Sequence, residues 1–96
     1  MVVHIVMFKF KDENKKQNIL KVKELLENLK GKIDVINSLE VGVNFDTAPR
    51  AMDLSINLTF DRVEDLNSYV INDEHQKVVE VIKNVTEYSK VVDYII

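Results

Sequence analysis

Residues Val2–Phe10 read Val-Val-His-Ile-Val-Met-Phe-Lys-Phe, a β-branched and aromatic run that is apolar on both sides apart from His4 and Lys9. Successive side chains of a strand point to opposite faces of its sheet, so this segment belongs in a central strand covered on both faces. That requirement is severe for a chain of 96 residues. Such a length supports one domain, residues 1–96, and hides a smaller share of its surface than a longer chain does.

The rest of the pattern supplies a cover for one face. Asp12 is placed to cap a helix, with Glu13 in its electropositive first turn. Ile19, Val22, Leu25, Leu26, Leu29 and Ile33 follow at three- and four-residue steps as one apolar stripe, and Gly31 is placed to end the helix. From Val35 the period becomes two. Val35, Leu39, Val41, Val43 and Phe45 share a face, with Asn37 among them; Ile36, Ser38, Glu40, Gly42 and Asn44 take the other. A loop over Asp46–Arg50, broken by Pro49, leads to a second alternating run, Met52–Phe60, and the two strands form an antiparallel hairpin.

Asp61-Arg-Val-Glu64 resembles a capping box and opens a short helix carrying Leu66, Tyr69 and Val70. Asn72 caps the next helix, whose stripe is His75, Val78, Val79, Ile82 and Val85 or Thr86. Val91–Ile96 is the last strand. The order is that of an α+β, ferredoxin-like βαββαβ protomer, a four-stranded antiparallel sheet with helices on one face.

The second face needs its own cover. In the last strand Val92, Tyr94 and Ile96 oppose Val91, Asp93 and Ile95, so it too offers little polar surface. A second copy of the same sheet is the simplest cover, which makes the chain a homodimer through the face away from the helices. Ser38, Glu40, Asn57 and Thr59 of the hairpin dissent, being polar; a polar-lined barrel interior reconciles them.

Composition removes several function classes. The net charge is -3, and the densest basic group, Lys9–Lys16, is interrupted by Asp12 and Glu13, which argues against a nucleic-acid surface. Without cysteine there is no disulfide framework or thiolate nucleophile. The apolar runs are too short to span a bilayer, and a cytoplasmic protein without membrane partners is the expectation. There is no phosphate loop and no nucleophile elbow, and nothing implies a cofactor or a metal site.

What remains is Tyr69 and His75, a phenol and an imidazole on either side of a helix junction. As a site, the histidine is a general base and the tyrosine a donor to a developing oxyanion. As packing, both are ordinary half-buried residues. His4 sits within the apolar first strand, either as a satisfied core histidine or as a pocket group. Asp93 interrupts the last strand and either pairs with a lysine or points outward.

Val3–Glu13, Ser38–Gly42, Leu58–Asp61, Leu66–Tyr69, Glu74–Gln76 and Val91–Tyr94, in that order, resemble the stress-responsive A/B barrel domain, also called Dabb or the dimeric α/β barrel. The resemblance implies a ferredoxin-like protomer and a homodimer whose sheets close into a barrel. It also implies a pocket between sheet and helices lined by His4, Tyr69 and His75. Tyr69 and His75 match the catalytic pair of a polyketide cyclase in this family, which closes a ring by aldol condensation. The family's usual histidine and proline are replaced here by Asn72 and Asp73, and a second pocket histidine of the cyclase aligns with Leu54. The implied function is a family protein of unassigned role that binds a small, partly apolar ligand. The alternatives are a cofactor-free enzyme, cyclase-like or monooxygenase-like, and a purely structural oligomer.

Overall fold

The computed structural model describes all 96 residues, Met1–Ile96. Strand β1 (Val2–Phe10) is followed by helix α1 (Lys15–Glu27), a 3-10 turn (Asn28–Gly31), strands β2 (Ser38–Val43) and β3 (Leu54–Phe60), helices α2 (Val63–Ile71) and α3 (Asp73–Val85), and strand β4 (Thr86–Ile95). The sheet order is β2-β3-β1-β4, all neighbours antiparallel, which is the expected ferredoxin-like arrangement.

The registers sort the side chains into rows across the sheet. On the helix face one row runs Leu39, Leu58, His4, Asp93, and the next runs Val41, Ile56, Val6, Val91. Leu54, Ile56, Leu58 and Phe60 are at most 2% exposed there, packed with Val22, Leu26 and Leu29 from α1 and the following turn. On the second face the rows run Ser38, Thr59, Val3, Tyr94 and then Glu40, Asn57, Ile5, Val92. Polar and apolar residues are thus segregated by strand pair: the β2–β3 half is polar and the β1–β4 half apolar. The polar hairpin and the apolar terminal strands are two halves of one face.

Several local expectations are corrected. Asn14, not Asp12, precedes α1, in a left-handed conformation (φ 51°) that asparagine tolerates better than most residues. Asp12 instead pairs with Lys15 at 3.5 Å. Gly31 closes the 3-10 turn without a positive φ, so the helix tapers rather than ending on a left-handed glycine cap. Arg62, in extended conformation, holds the cap position of α2, which leaves Asp61 one residue too early for capping. Strand β2 begins only at Ser38; Ile36 lies in the preceding turn and is 2% exposed, not on a polar strand face. Strand β3 begins at Leu54 because Asp53 turns its carboxylate to accept the Phe10 amide at 2.7 Å. Strand β4 starts at Thr86, five residues before the apolar run, because Thr86–Lys90 find partners on Met7–Phe10.

Asn72 does cap α3: its Oδ1 accepts the Glu74 amide at 2.9 Å. The same residue, extended at φ -64° and ψ 136°, sets the bend between α2 and α3. That bend positions the site.

Candidate functional site

Tyr69 lies in the last turns of α2 with its side chain turned onto the sheet, 2% exposed. Its ring stands 5.4 Å from Phe60, 6.0 Å from His4 and 4.2 Å from His75, centroid to centroid. His4 comes up from the middle of β1 and His75 down from the first turn of α3. The structure therefore brings together all three residues singled out in the sequence, with the phenol between the two imidazoles.

They line a cavity of about 460 Å³ between the α2–α3 junction and the β1–β4 half of the helix face. Its walls are largely apolar, including Val6, Phe8, Ile56, Val79 and Ile82, and its rim carries Lys83, Glu87 and Tyr88. A more open cleft of about 560 Å³ lies beneath the β2–β3 loop, beside Met7, Phe45 and Arg50, and contains none of the three. Leu54 is a buried core residue rather than part of the Tyr69 cavity.

The chemistry of each group follows from its surroundings. The hydroxyl of Tyr69 has no hydrogen-bond partner in the chain, yet no fully buried polar atom is left unsatisfied, so the oxygen borders the cavity. Burial pushes the phenol well above the ordinary tyrosine range, which keeps it protonated and a donor. Burial pushes His75 the other way, toward the neutral form; the hydrogen bond to Val70 opposes this and the nearby His4 reinforces it.

His75 Nδ1 lies 3.1 Å from the Val70 carbonyl oxygen, which can only accept, so Nδ1 carries the proton and Nε2 is bare. The same carbonyl also takes the Gln76 side-chain amide at 2.6 Å. It belongs to the last turn of α2, where carbonyls lack helical partners. A helix-end requirement thus fixes the tautomer of the imidazole next door. The arrangement offers a bare imidazole nitrogen and a phenolic O–H at one apolar cavity, which is what proton abstraction beside a carbonyl or polar anchoring of an apolar ligand requires.

Asp93 was not expected here. It is directly opposite His4 in the β1–β4 register, and its carboxylate bonds His4 Nδ1. It neither pairs with a lysine nor simply points outward. Only the strand register reveals this, since 89 residues separate the two. No three His, Cys, Asp or Glu side chains converge as a metal-ligating group, and no helix is long and apolar enough to cross a membrane.

Among solved structures, a dimeric protein of unknown function with a ferredoxin-like fold from Bacteroides fragilis is 31% identical, with 99% of this chain and 95% of that one covered and a TM-score of 0.89. A protein of Arabidopsis thaliana is 18% identical over 100% of this chain and 95% of its own, at a TM-score of 0.88. A hydroxynitrile lyase from Passiflora edulis is 18% identical over 99% and 92%, at 0.87. No curated protein matches the chain. The model of the stress responsive A/B barrel domain matches residues 2–96, nearly the whole sequence, and the chain belongs to that family.

Proposed function

We propose that this protein is a homodimer, joined through the sheet face away from the helices, whose Tyr69–His75–His4 cavity binds a small, partly apolar molecule. The observation that carries the reading is the cavity itself: about 460 Å³ of space with apolar walls, at which a phenol and two imidazoles converge. A purely structural module would fill that space with side chains. Dimerisation is supported by the apolar β1–β4 half of the second face and by the dimeric Bacteroides fragilis relative.

A cofactor-free enzyme is the second reading. The bare Nε2 of His75 beside the Tyr69 hydroxyl favours it, as does the presence of a hydroxynitrile lyase among proteins of the same fold. In that reading His75 is the base and Tyr69 the donor, both catalytic residues.

The test is a thermal-shift screen of the wild type and His75→Ala against alkylphenols, aromatic ketones and medium-chain carboxylic acids. A compound present at a hundred times its Kd stabilises the folded form by about 2.7 kcal/mol, roughly 10 °C or more for a domain of this size. Stabilisation of the wild type alone supports the reading. If every active compound shifts both proteins equally, the cavity is not the binding site.

A further inference from the structure

We infer that Asp93 is a positioning residue: it holds the Nδ1–H of His4 so that His4 presents Nε2 to the cavity. The inference rests on the cavity being the ligand site. It assigns a role to a residue that contributes nothing to the cavity wall itself.

Leu39, Leu58, His4 and Asp93 form one row across the helix face. Directly opposed residues of an antiparallel pair bring their side chains to one another on one face. His4 is mostly enclosed, with 12% of its side chain exposed, while Asp93 is at the free edge with 46% exposed. A carboxylate at that edge remains hydrated and still reaches Nδ1 of His4. A carboxylate accepts and does not donate, so Nδ1 carries a proton whether the ring is neutral or charged. Nε2 is then the nitrogen left to the cavity that His4 lines. It accepts when the ring is neutral and donates when it is protonated.

His75 repeats the device with a different acceptor. Its Nδ1 is held by the Val70 carbonyl, and Nε2 is again free. Two imidazoles flanking Tyr69 are both held through Nδ1, one by the helix-end carbonyl of Val70, a residue of the cavity itself, and one by an edge-strand carboxylate outside the cavity wall. A histidine buried merely for packing needs one partner of any kind. Here both rings have the same nitrogen engaged and the same nitrogen left over. An outer partner that fixes tautomer and ring orientation is the usual way a protein prepares an imidazole for work.

The experiment is nitrogen-15 NMR of the two histidines at a pH where both are neutral, in the wild type and in Asp93→Val. Valine suits an edge strand, so the fold should survive. The expected result is an Nδ1-protonated His4 in the wild type that moves to the Nε2-protonated form in Asp93→Val, with His75 unchanged as internal control. Unchanged His4 signals in the variant overturn the inference, as does a change of both rings alike. A wild-type His4 protonated on Nε2 overturns it whatever the variant does. These outcomes need no ligand, so they are separate from the thermal-shift screen: a cavity that binds nothing leaves the His4 result intact, and the reverse holds equally.

Discussion

Tyr69→Phe separates a working hydroxyl from a packing ring. The substitution keeps the aromatic ring and its neighbours, His75 at 4.2 Å, Phe60 at 5.4 Å and His4 at 6.0 Å, and removes one oxygen. That oxygen has no hydrogen bond within the chain and borders the cavity. A hydroxyl bonded to a protein partner contributes about 1 kcal/mol to stability. One without a partner contributes much less, so Tyr69→Phe should change stability by no more than about 0.5 kcal/mol, roughly 2–4 °C in Tm for a domain of this size. Tyr69→Ala also deletes the ring from the core; on the scale of large aromatic truncations it costs about 3–5 kcal/mol, much of the total stability of a small domain. The assay is thermal and urea unfolding of the three proteins at one protein concentration, since a dimer's Tm depends on it. The Tyr69→Phe protein should then fail to be stabilised by compounds that stabilise the wild type. A Tyr69→Phe loss above about 1 kcal/mol would show that the hydroxyl serves the fold. Undiminished ligand response in that variant would show that it serves neither fold nor ligand.

His75 titrates lower in the folded chain than in the unfolded one, because burial disfavours its charge. The stability it contributes is therefore complete above its unfolded value near 6.5 and is lost as pH falls through the depressed folded value. His75→Gln should flatten the decline in Tm between neutral and mildly acidic pH; an unaltered profile would assign the decline to other groups. Asn72→Ala removes the Oδ1 that accepts the Glu74 amide and should cost about 1 kcal/mol in urea unfolding, and a neutral result would mean that water replaces the cap without loss. Val92→Glu places a charge in the apolar half of the second face and should convert a dimer to a monomer by light scattering at micromolar concentration. A dimer that persists places the interface elsewhere.

The sequence is legible where one local rule acts alone. Val2–Phe10 is a strand to the residue because nothing in it competes with that reading. Asn72 is a cap because its side chain, its position and the acidic first turn agree. It fails where two neighbours compete for one role. Asp12 and Asn14, or Asp61 and Arg62, are separated only by which backbone leaves the helical region first, and that depends on how the chain leaves the preceding strand. The start of β4 fails for a different reason: Thr86–Lys90 are polar and alternate weakly, and only pairing with β1 makes them a strand. The site divides the same way. Tyr69 and His75 flank a bend that Asn72 announces, so their proximity can be read locally. The bond between His4 and Asp93 requires the β1–β4 register, and a slip of one residue would turn Asp93 to the opposite face.

The rows across the helix face explain why the cavity lies where it does. From β2 to β4 one row passes Leu39, Leu58, His4, Asp93, and another passes Val43, Leu54, Phe8, Ser89. Each ends on β4 in a small or polar side chain. Over β2 and β3 the large side chains meet α1 and close the core, leaving Leu54, Ile56, Leu58 and Phe60 almost without exposure. Over β4 the sheet offers Ser89, Val91 and Asp93, and the α2–α3 bend spans them rather than packing into them. The two histidines and the tyrosine sit on the boundary between these regions. There the apolar wall of the core excludes water from one side of each ring, while the carboxylate and carbonyl on the other side fix the nitrogens. Filling the cavity by enlarging Ser89 or Val91 should therefore disturb ligand response before it disturbs the core, because both are exposed residues of the edge strand, while the walls shared with the core, Phe8, Ile56 and Ile82, stay unchanged.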